Sequence, residues 1–167
     1  VNKGTDATSI LELLPDQFTF EGTSIMPGTD PGYLTILNGT FKISGSFSMQ
    51  NGLFAGTNNY TVPPTGGIWF NNPNYTVAAR AGTGYIEGTL IMDAGTLNVG
   101  TDIDNRLGYI DGTVITINGG AINVASRFSA TTTFGVKYTQ TGGVITVNTV
   151  GSTSSAYASF DIRDIDV

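Results

Sequence analysis

The sequence contains no cysteine and no histidine among its 167 residues. Without cysteine, the chain has no disulfide, no thiolate nucleophile and no cysteine-based zinc site. Without histidine, it lacks the commonest general base and the commonest metal ligand, which excludes Ser-His-Asp and Cys-His catalysis within this chain. The chemistry of many familiar hydrolases is therefore excluded at the outset.

Charged residues are also scarce, at 12% of the chain. The formal net charge is −6 with only seven Lys and Arg residues, so we expect no nucleic-acid partner. No apolar run reaches the roughly 18 to 20 residues of a membrane span, so we expect no membrane insertion. Polarity comes instead from Thr, Asn, Ser and Gly, which suit strand faces and tight turns better than helices.

A segment with a central glycine recurs four times. The central glycines are Gly39, Gly95, Gly120 and Gly143, and the last three are separated by 25 and 23 residues. A period of roughly 20 to 30 residues with short strands is the signature of a β-solenoid. We therefore predict an all-β fold, a right-handed parallel β-helix with rungs of about 23–25 residues, its hand following the usual sense of parallel crossovers.

Side chains alternate in polarity around each central glycine. Two and four positions after it the residues are apolar, as in Leu97 and Val99, whereas most of the residues between them are polar, as in Asn98. Because strand side chains alternate with a period of two, the apolar positions are predicted to line the interior of the stack. Gln140 departs from this pattern, and we expect it near a bend or bonded to a backbone group.

Each central glycine is predicted to mark a corner between two strands. The residue before it is Asn38, Ala94, Gly119 or Gly142. Asn and Gly at this preceding position tolerate the positive φ that a sharp corner often needs, and Ala94 fits that conformation least well. The alternative is a set of ordinary β-hairpins, whose turns also favour Asn-Gly, but the period is longer than such hairpins require.

Outside the repeat, the chain divides into a short beginning and a long stack. Residues 1–31 are predicted to be an N-terminal cap or an atypical first rung, because terminal repeats must cover an open end. Residues 32–167 are predicted to be rungs with an irregular insertion around 44–66. The last rung is expected to be uncapped, so that neighbouring repeats of a longer protein, or other copies end to end, can pair with it.

Three sequence blocks carry a resemblance to a known group of proteins. They run from Tyr60 to Val77, from Gly95 to Gly100 and from Tyr138 to Gly151. They resemble the β-helical repeat regions of large secreted Bacteroidetes surface proteins, typically adhesin-like type IX secretion cargo. The resemblance covers roughly residues 32–165 and implies an extracellular or cell-surface location with an adhesive or scaffolding role. It brings no catalytic motif with it.

Polysaccharide-cleaving enzymes also use parallel β-helices, which makes the charged residues candidates for catalysis. Glu87 and Asp111 each precede a glycine that opens a rung, and Arg80, Arg106 and Arg127 follow the second strand of successive rungs. Glycoside hydrolysis needs two carboxylates at a defined separation, and nothing in the pattern pairs these residues. We therefore expect no enzymatic activity, and a polysaccharide-active enzyme is the third and least favoured function.

Four aromatic residues are candidates for ligand binding. Trp69, Tyr75, Tyr85 and Tyr109 could form an exposed strip on which sugars stack. The ordinary alternative is that such large rings pack inside the protein. A strip would make the chain a carbohydrate-binding module, with glycans as partners.

One acidic loop is a candidate metal site. Asp102 and Asp104 alternate with Ile103 and offer oxygen ligands of the kind that calcium prefers. The run lacks a complete calcium-binding loop, so an ordinary polar loop is the alternative, and no other cofactor is expected. The favoured function is a structural or adhesive extracellular β-solenoid segment of a larger surface protein or fibre, with a carbohydrate-binding module as the alternative.

Overall fold

The computed structural model describes residues 1–14, 34–51, 59–132, 135–153 and 159–163. Within these ranges the chain forms short strands and no helix, and therefore no helix that could cross a membrane. The strands are β1 (Ile10–Leu13), β2 (Gly39–Ile43), β3 (Met49–Asn51), β4 (Tyr60–Val62), β5 (Gly66–Phe70), β6 (Tyr75–Val77), β7 (Gly84–Ile86), β8 (Thr89–Met92), β9 (Thr96–Val99), β10 (Leu107–Tyr109), β11 (Val114–Ile117), β12 (Ala121–Val124), β13 (Phe128–Ala130), β14 (Lys137–Gln140), β15 (Val144–Thr146) and β16 (Phe160–Asp161).

The strands stack into three parallel sheets. Sheet one has the order β1-β2-β5-β8-β11-β14, sheet two β3-β6-β9-β12-β15, and sheet three β16-β13-β10-β7-β4. From β2 onwards, three consecutive strands form one rung and contribute one strand to each sheet. The protein is therefore a β-solenoid of about four turns, which confirms the predicted parallel β-helix over the hairpin alternative. The right-handed sense of the coil stays a prediction.

The register offset between successive strands of sheet one varies from 30 residues between Ile10 and Thr40 to 22 further along the stack. In sheet one, Thr89 pairs with Val114 and Val114 with Lys137, offsets of 25 and 23 residues. The offset is 22 residues between Gly67 and Thr89, its partner in the next rung. Because the strands stay in register, the additional residues of the longer rungs lie in the connections between strands.

Apolar side chains form columns inside the coil, as the alternation predicts. In sheet one, Leu90 and Ile115 stack in register and are fully buried. In sheet two, Leu97 and Ile122 do the same. Fully burying one such side chain contributes about 1.5–3 kcal/mol, so these columns are the main source of stability.

The first segment of the predicted repeat does not occupy the same corner as the other three, so this part of the prediction is wrong. Gly95, Gly120 and Gly143 lie between sheets one and two, whereas Gly39 begins β2 and pairs with Gly66. The alignment failed because strands of different sheets share the same glycine-led alternation of apolar and polar residues. Polarity alone cannot tell which of the three faces a strand occupies.

The corner conformation also differs from the expectation. The positive φ falls on the central glycine itself, at 83° for Gly95 and 73° for Gly120, and not on the preceding residue. The preceding glycines serve close approach instead. A Cβ at Gly119 would lie 2.2 Å from the carbonyl oxygen of Asp93, and one at Gly142 would lie 2.4 Å from that of Asn118.

Both ends of the stack contain strands in regular positions. β1 falls within residues 1–31 and pairs with β2, while residues 15–33 lie outside the described ranges. Within 44–66, β3 and β4 pair with strands of the next rung, and residues 52–58 lie outside the described ranges.

At the other end, Gln140 is exposed and its Nε2 donates to the carbonyl oxygens of Gly142 and Gly143, which confirms its expected backbone bonding.

Candidate functional site

A continuous line of side-chain contacts runs along the outer face of sheet one. We call it the outer ladder, and each member lies on, or directly after, a different strand of that sheet. Its members, in order along the stack, are Glu12, Lys42, Trp69, Asp93, Asn118 and Thr141. The ladder therefore links all six strands of sheet one.

The first half of the outer ladder is ionic and aromatic. The Lys42 Nζ lies 2.9 Å from the Glu12 Oε1 and 4.2 Å from the centroid of the Trp69 ring. The Ser44 hydroxyl also donates to Glu12 Oε1, at 2.6 Å. The hydrogen bonds from Ser44 and then Lys42 lower the pKa of Glu12. Lys42 thus interacts with a carboxylate on one strand and a π-face on the next.

The second half of the outer ladder consists of hydrogen bonds. The Trp69 Nε1 donates to Asp93 Oδ2 at 2.6 Å, and the Asn118 Nδ2 donates to Asp93 Oδ1 at 2.8 Å. The Thr141 hydroxyl then donates to Asn118 Oδ1 at 2.9 Å. Both oxygens of Asp93 are therefore occupied, and each bond joins one rung to the next.

A shorter ladder of the same kind follows sheet two. The Asn98 Nδ2 donates to the carbonyl oxygen of Val77 at 2.9 Å, and the Asn123 Nδ2 donates to Asn98 Oδ1 at 2.9 Å. The alternation around Gly95 and Gly120 predicts Asn98 and Asn123 on the polar face, but it does not predict the bond between them. Their equivalent spacing from successive central glycines was the available signal.

Trp69 and Tyr85 are half-buried and lie on different sheets. Trp69 belongs to sheet one, whereas Tyr85 belongs to sheet three, so the two rings do not share one strip. The Tyr85 ring covers Gly108 of the next rung, where a Cβ would lie 3.1 Å from Cδ1 of the ring. The Arg106 guanidinium lies 5.9 Å from the centroid of that ring. Ligand binding by Trp69 or Tyr85 stays a prediction.

Tyr75 and Tyr109 are buried in the core, so the four candidate aromatic residues do not form an exposed strip. Tyr75 packs edge-on against Phe47, with ring centroids 5.8 Å apart. Tyr109 follows Ile86 in an inward column of sheet three. Desolvation by burial is the main cause that raises the pKa of Tyr109.

The acidic loop, between β9 and β10, is bonded to a loop two rungs further along the stack, between β15 and β16. Asp104 has a φ of 68°, and its carboxylate accepts hydrogen bonds from the Ser152 hydroxyl at 2.9 Å, the Thr153 N–H at 2.9 Å and the Thr153 hydroxyl. These bonds lower the pKa of Asp104, with the Thr153 hydroxyl contributing most. Asp102 is exposed, and its N–H donates to Asn105 Oδ1 at 3.0 Å.

The described part of the chain brings together no group of three or more His, Cys, Asp or Glu residues that could hold a metal ion. Calcium binding at Asp102 and Asp104 therefore stays a prediction.

Among the basic candidates, Arg106 and Arg127 occupy equivalent positions directly before β10 and β13. The charge of Arg127 is a lesser cause of the lowered pKa of Asp104.

The fold and these ladders define a β-solenoid whose rungs are joined by apolar contacts inside and polar contacts outside. No protein-family model matches this chain. No curated protein and no solved structure matches it either.

Proposed function

We propose that this chain is a rigid structural segment of an extracellular surface protein or fibre. The observation that carries the proposal is the outer ladder, which joins all six strands of sheet one from Glu12 to Thr141. In a stack of rungs, each rung contacts only its neighbours, so stiffness depends on the contacts between successive rungs. The ladder adds such a contact at every step of the sheet.

The inner and outer contacts reinforce each other. The apolar columns hold the rungs together from inside, as with Leu90 and Ile115. A single surface ion pair such as Glu12–Lys42 contributes little, but a network in which partners are shared loses less side-chain entropy for each contact. Local opening of one rung would therefore break contacts on both faces of the sheet.

An extracellular location fits the composition. The coat of Thr, Asn, Ser and Gly stays polar with only 12% charged residues. The resemblance of the blocks around Trp69 and Tyr138 to Bacteroidetes surface proteins supports placement as type IX secretion cargo with adhesin-like neighbours.

An antibody against the chain should label intact source cells, and brief protease treatment of those cells should remove the label. Labelling only after lysis would contradict a surface location.

The structural role is tested by replacement within the parent protein. One version exchanges this chain for an unrelated β-solenoid of the same number of rungs, and the other exchanges it for a flexible Gly/Ser linker of the same residue count. A rigid segment predicts that surface display and attachment survive the first exchange and fail in the second. If both exchanges abolish attachment, the chain contributes a specific binding surface and the structural proposal is wrong.

A carbohydrate-binding role is the second candidate, and the observation that favours it is Tyr85. Its half-buried ring lies over Gly108 beside Arg106, so it combines a stacking surface with a hydrogen-bond donor. A glycan array should detect selective binding that is lost in Tyr85→Ala and kept in Thr61→Ala, its exposed neighbour on the same outer column. Absence of binding by the unaltered chain would remove this candidate.

A further inference from the structure

We propose that this chain docks head to tail on a second copy, with β1 of one copy pairing in parallel with β14 of the other. The proposal deepens the structural role above and rests on it for its purpose. In the described part of the chain, β1 and β14 are the two edge strands of sheet one. Joining them would continue one parallel sheet across two molecules, in the way that exposed edges generally pair.

The backbone groups of β1 fit this arrangement. The N–H groups of Thr40 and Ser44 donate to the carbonyl oxygens of Ser9 and Leu13, at 2.7 and 2.8 Å. In a strand, the groups that pair on one side alternate with those that pair on the other. Ile10 directly follows Ser9, so its backbone groups are directed away from β2.

The backbone groups of β14 present the matching row. The N–H groups of Lys137 and Thr141 donate to the carbonyl oxygens of Thr113 and Ile117, each at 2.9 Å. By the same alternation, the backbone groups of Tyr138 point away from β11. When Ile10 of the second copy is placed opposite Lys137, its N–H faces the backbone groups of β14 that point away from β11.

The same register continues the inner column of sheet one. Leu11 and Tyr138 are the two ends of the column that contains Leu90 and Ile115. Leu90 and Ile115 are fully buried, whereas Leu11 is 44% exposed. Docking places Leu11 of one copy against the half-buried ring of Tyr138 of the other, so it removes apolar surface from water at both ends.

Charges on the outer face are complementary in this register. Glu12 of the docking copy falls opposite the exposed Thr139, with the exposed Lys137 on its diagonal along the same face. Diagonal neighbours on one sheet face are within reach of long side chains, and opposite charges there are favourable. A shift by one residue would put Leu11 on the wet face, so the register is specified.

A second copy is the partner that these observations select. The docking edge requires a parallel strand with an apolar residue opposite Tyr138 and an acidic residue opposite Thr139, and β1 has both. Because the contact joins opposite ends of the chain, it is heterologous and produces a linear filament when repeated without closure.

Two variants that block one end each make the contact testable. Ile10→Pro removes the N–H that faces the second copy and places proline at the first residue of an edge strand, where it is tolerated. Gln140→Lys puts a charge at the exposed position that would cover Leu13 of the second copy. Thr116→Lys is the matched control, since it adds the same charge to the outer face of sheet one in mid-stack.

The measurement is sedimentation velocity of the full chain over a wide range of concentrations. We expect the unaltered chain and Thr116→Lys to form elongated species that grow with concentration. Each end-blocked variant alone should associate at least tenfold more weakly. An equimolar mixture of Ile10→Pro and Gln140→Lys should form dimers and nothing longer, because each variant keeps the end that the other lacks.

A constant monomer mass for the unaltered chain overturns the proposal, because it means that the ends are covered or do not fit. Association of either variant at the strength of the unaltered chain, or failure of the mixture to form dimers, overturns it as well. Circular dichroism of each variant identifies loss of folding. Failure of docking leaves the linker-exchange result intact, so the structural role and the self-contact can fail separately.

Discussion

The hydroxyl of Tyr109 donates a hydrogen bond of 2.6 Å to the carbonyl oxygen of Asp161, 52 residues further along the chain. The same hydroxyl accepts a bond of 3.1 Å from the N–H of Arg163. Tyr109 lies on β10, Asp161 on β16, and β13 lies between them in sheet three. One side chain therefore spans a complete rung and fixes the last strand of the sheet.

Removing this hydroxyl should loosen the last strand. Tyr109→Phe keeps the buried ring but leaves the carbonyl of Asp161 and the N–H of Arg163 without this partner. We expect a loss of about 1–2 kcal/mol in the free energy of unfolding. Hydrogen exchange should increase at residues 159–163 more than in β8 or β11. Tyr85→Phe is the control, with little change expected at its half-exposed outer position, and equal effects of the two changes would contradict the account.

Breaking the outer ladder at Asp93 should weaken the contact between three rungs. Asp93→Ala leaves the Trp69 indole N–H and the Asn118 amide without their acceptor. We expect a loss of about 1–2 kcal/mol in denaturant unfolding, because two hydrogen bonds to a charged group disappear. Trp69 is the one tryptophan of the sequence, so its fluorescence reports the change directly. The exposed Asp102→Ala should change neither signal.

A methyl group at the corner should be costly where the neighbouring carbonyl is close. Gly119→Ala would place Cβ 2.2 Å from the carbonyl oxygen of Asp93, so the backbone of one rung must move. We expect a loss of about 1–3 kcal/mol by urea unfolding. Gly112→Asn is the control, because that position has open space around a φ of 81°, which Asn tolerates. Equal stability of the two variants would show that the corners are not tightly stacked.

Acid should destabilise the stack through Glu12 and Asp104. The pKa of each is lowered in the folded state, Glu12 mainly by Ser44 and Asp104 mainly by Thr153. Their stabilisation is therefore fully present above the unfolded-state value of about 4 and is lost as the pH falls through the lower folded-state pKa. Thermal melts at pH 7 and pH 3 should show a smaller difference for the double variant Glu12→Gln, Asp104→Asn. Asn98→Ala, which removes no titrating group, should lower stability equally at both pH values.

Calcium should have little effect on the acidic loop. The Asp104 carboxylate already accepts three hydrogen bonds, and a metal ion would have to displace them. We expect the melting temperature to stay unchanged when millimolar calcium is added or removed with a chelator. A ligand that binds only the folded state raises the melting temperature. Such a rise, lost in Asp102→Ala, would establish the site predicted from the sequence.

Alternation was the most informative signal in the sequence. It predicts Leu97 and Val99 on the inner face, where both are buried, because strand side chains alternate regardless of which sheet they occupy. The same generality explains the misplaced Gly39, since a pattern shared by three faces does not identify one of them. It also explains why the period and the fold class were predicted while the assignment of strands to sheets was not.

The candidate site was less predictable because its geometry depends on distant segments. Trp69 and Asp93 are 24 residues apart, and their bond requires one to lie on a strand and the other just past the next. The sequence leaves Tyr109 open between an exposed and a buried ring, and the structure places it on a three-residue strand, where it is buried. Strands this short contain too few residues for alternation alone to establish a face.

The rungs also determine how far the chain can reach. Neighbouring strands of a sheet are about 4.8 Å apart, so the five steps from β1 to β14 cover roughly 24 Å along the axis. A single α-helix covers that distance with about 16 residues, at 1.5 Å for each. A chain folded into a coil of this kind is therefore much shorter and wider than a helix of the same number of residues. Its greater width is what makes it resist bending.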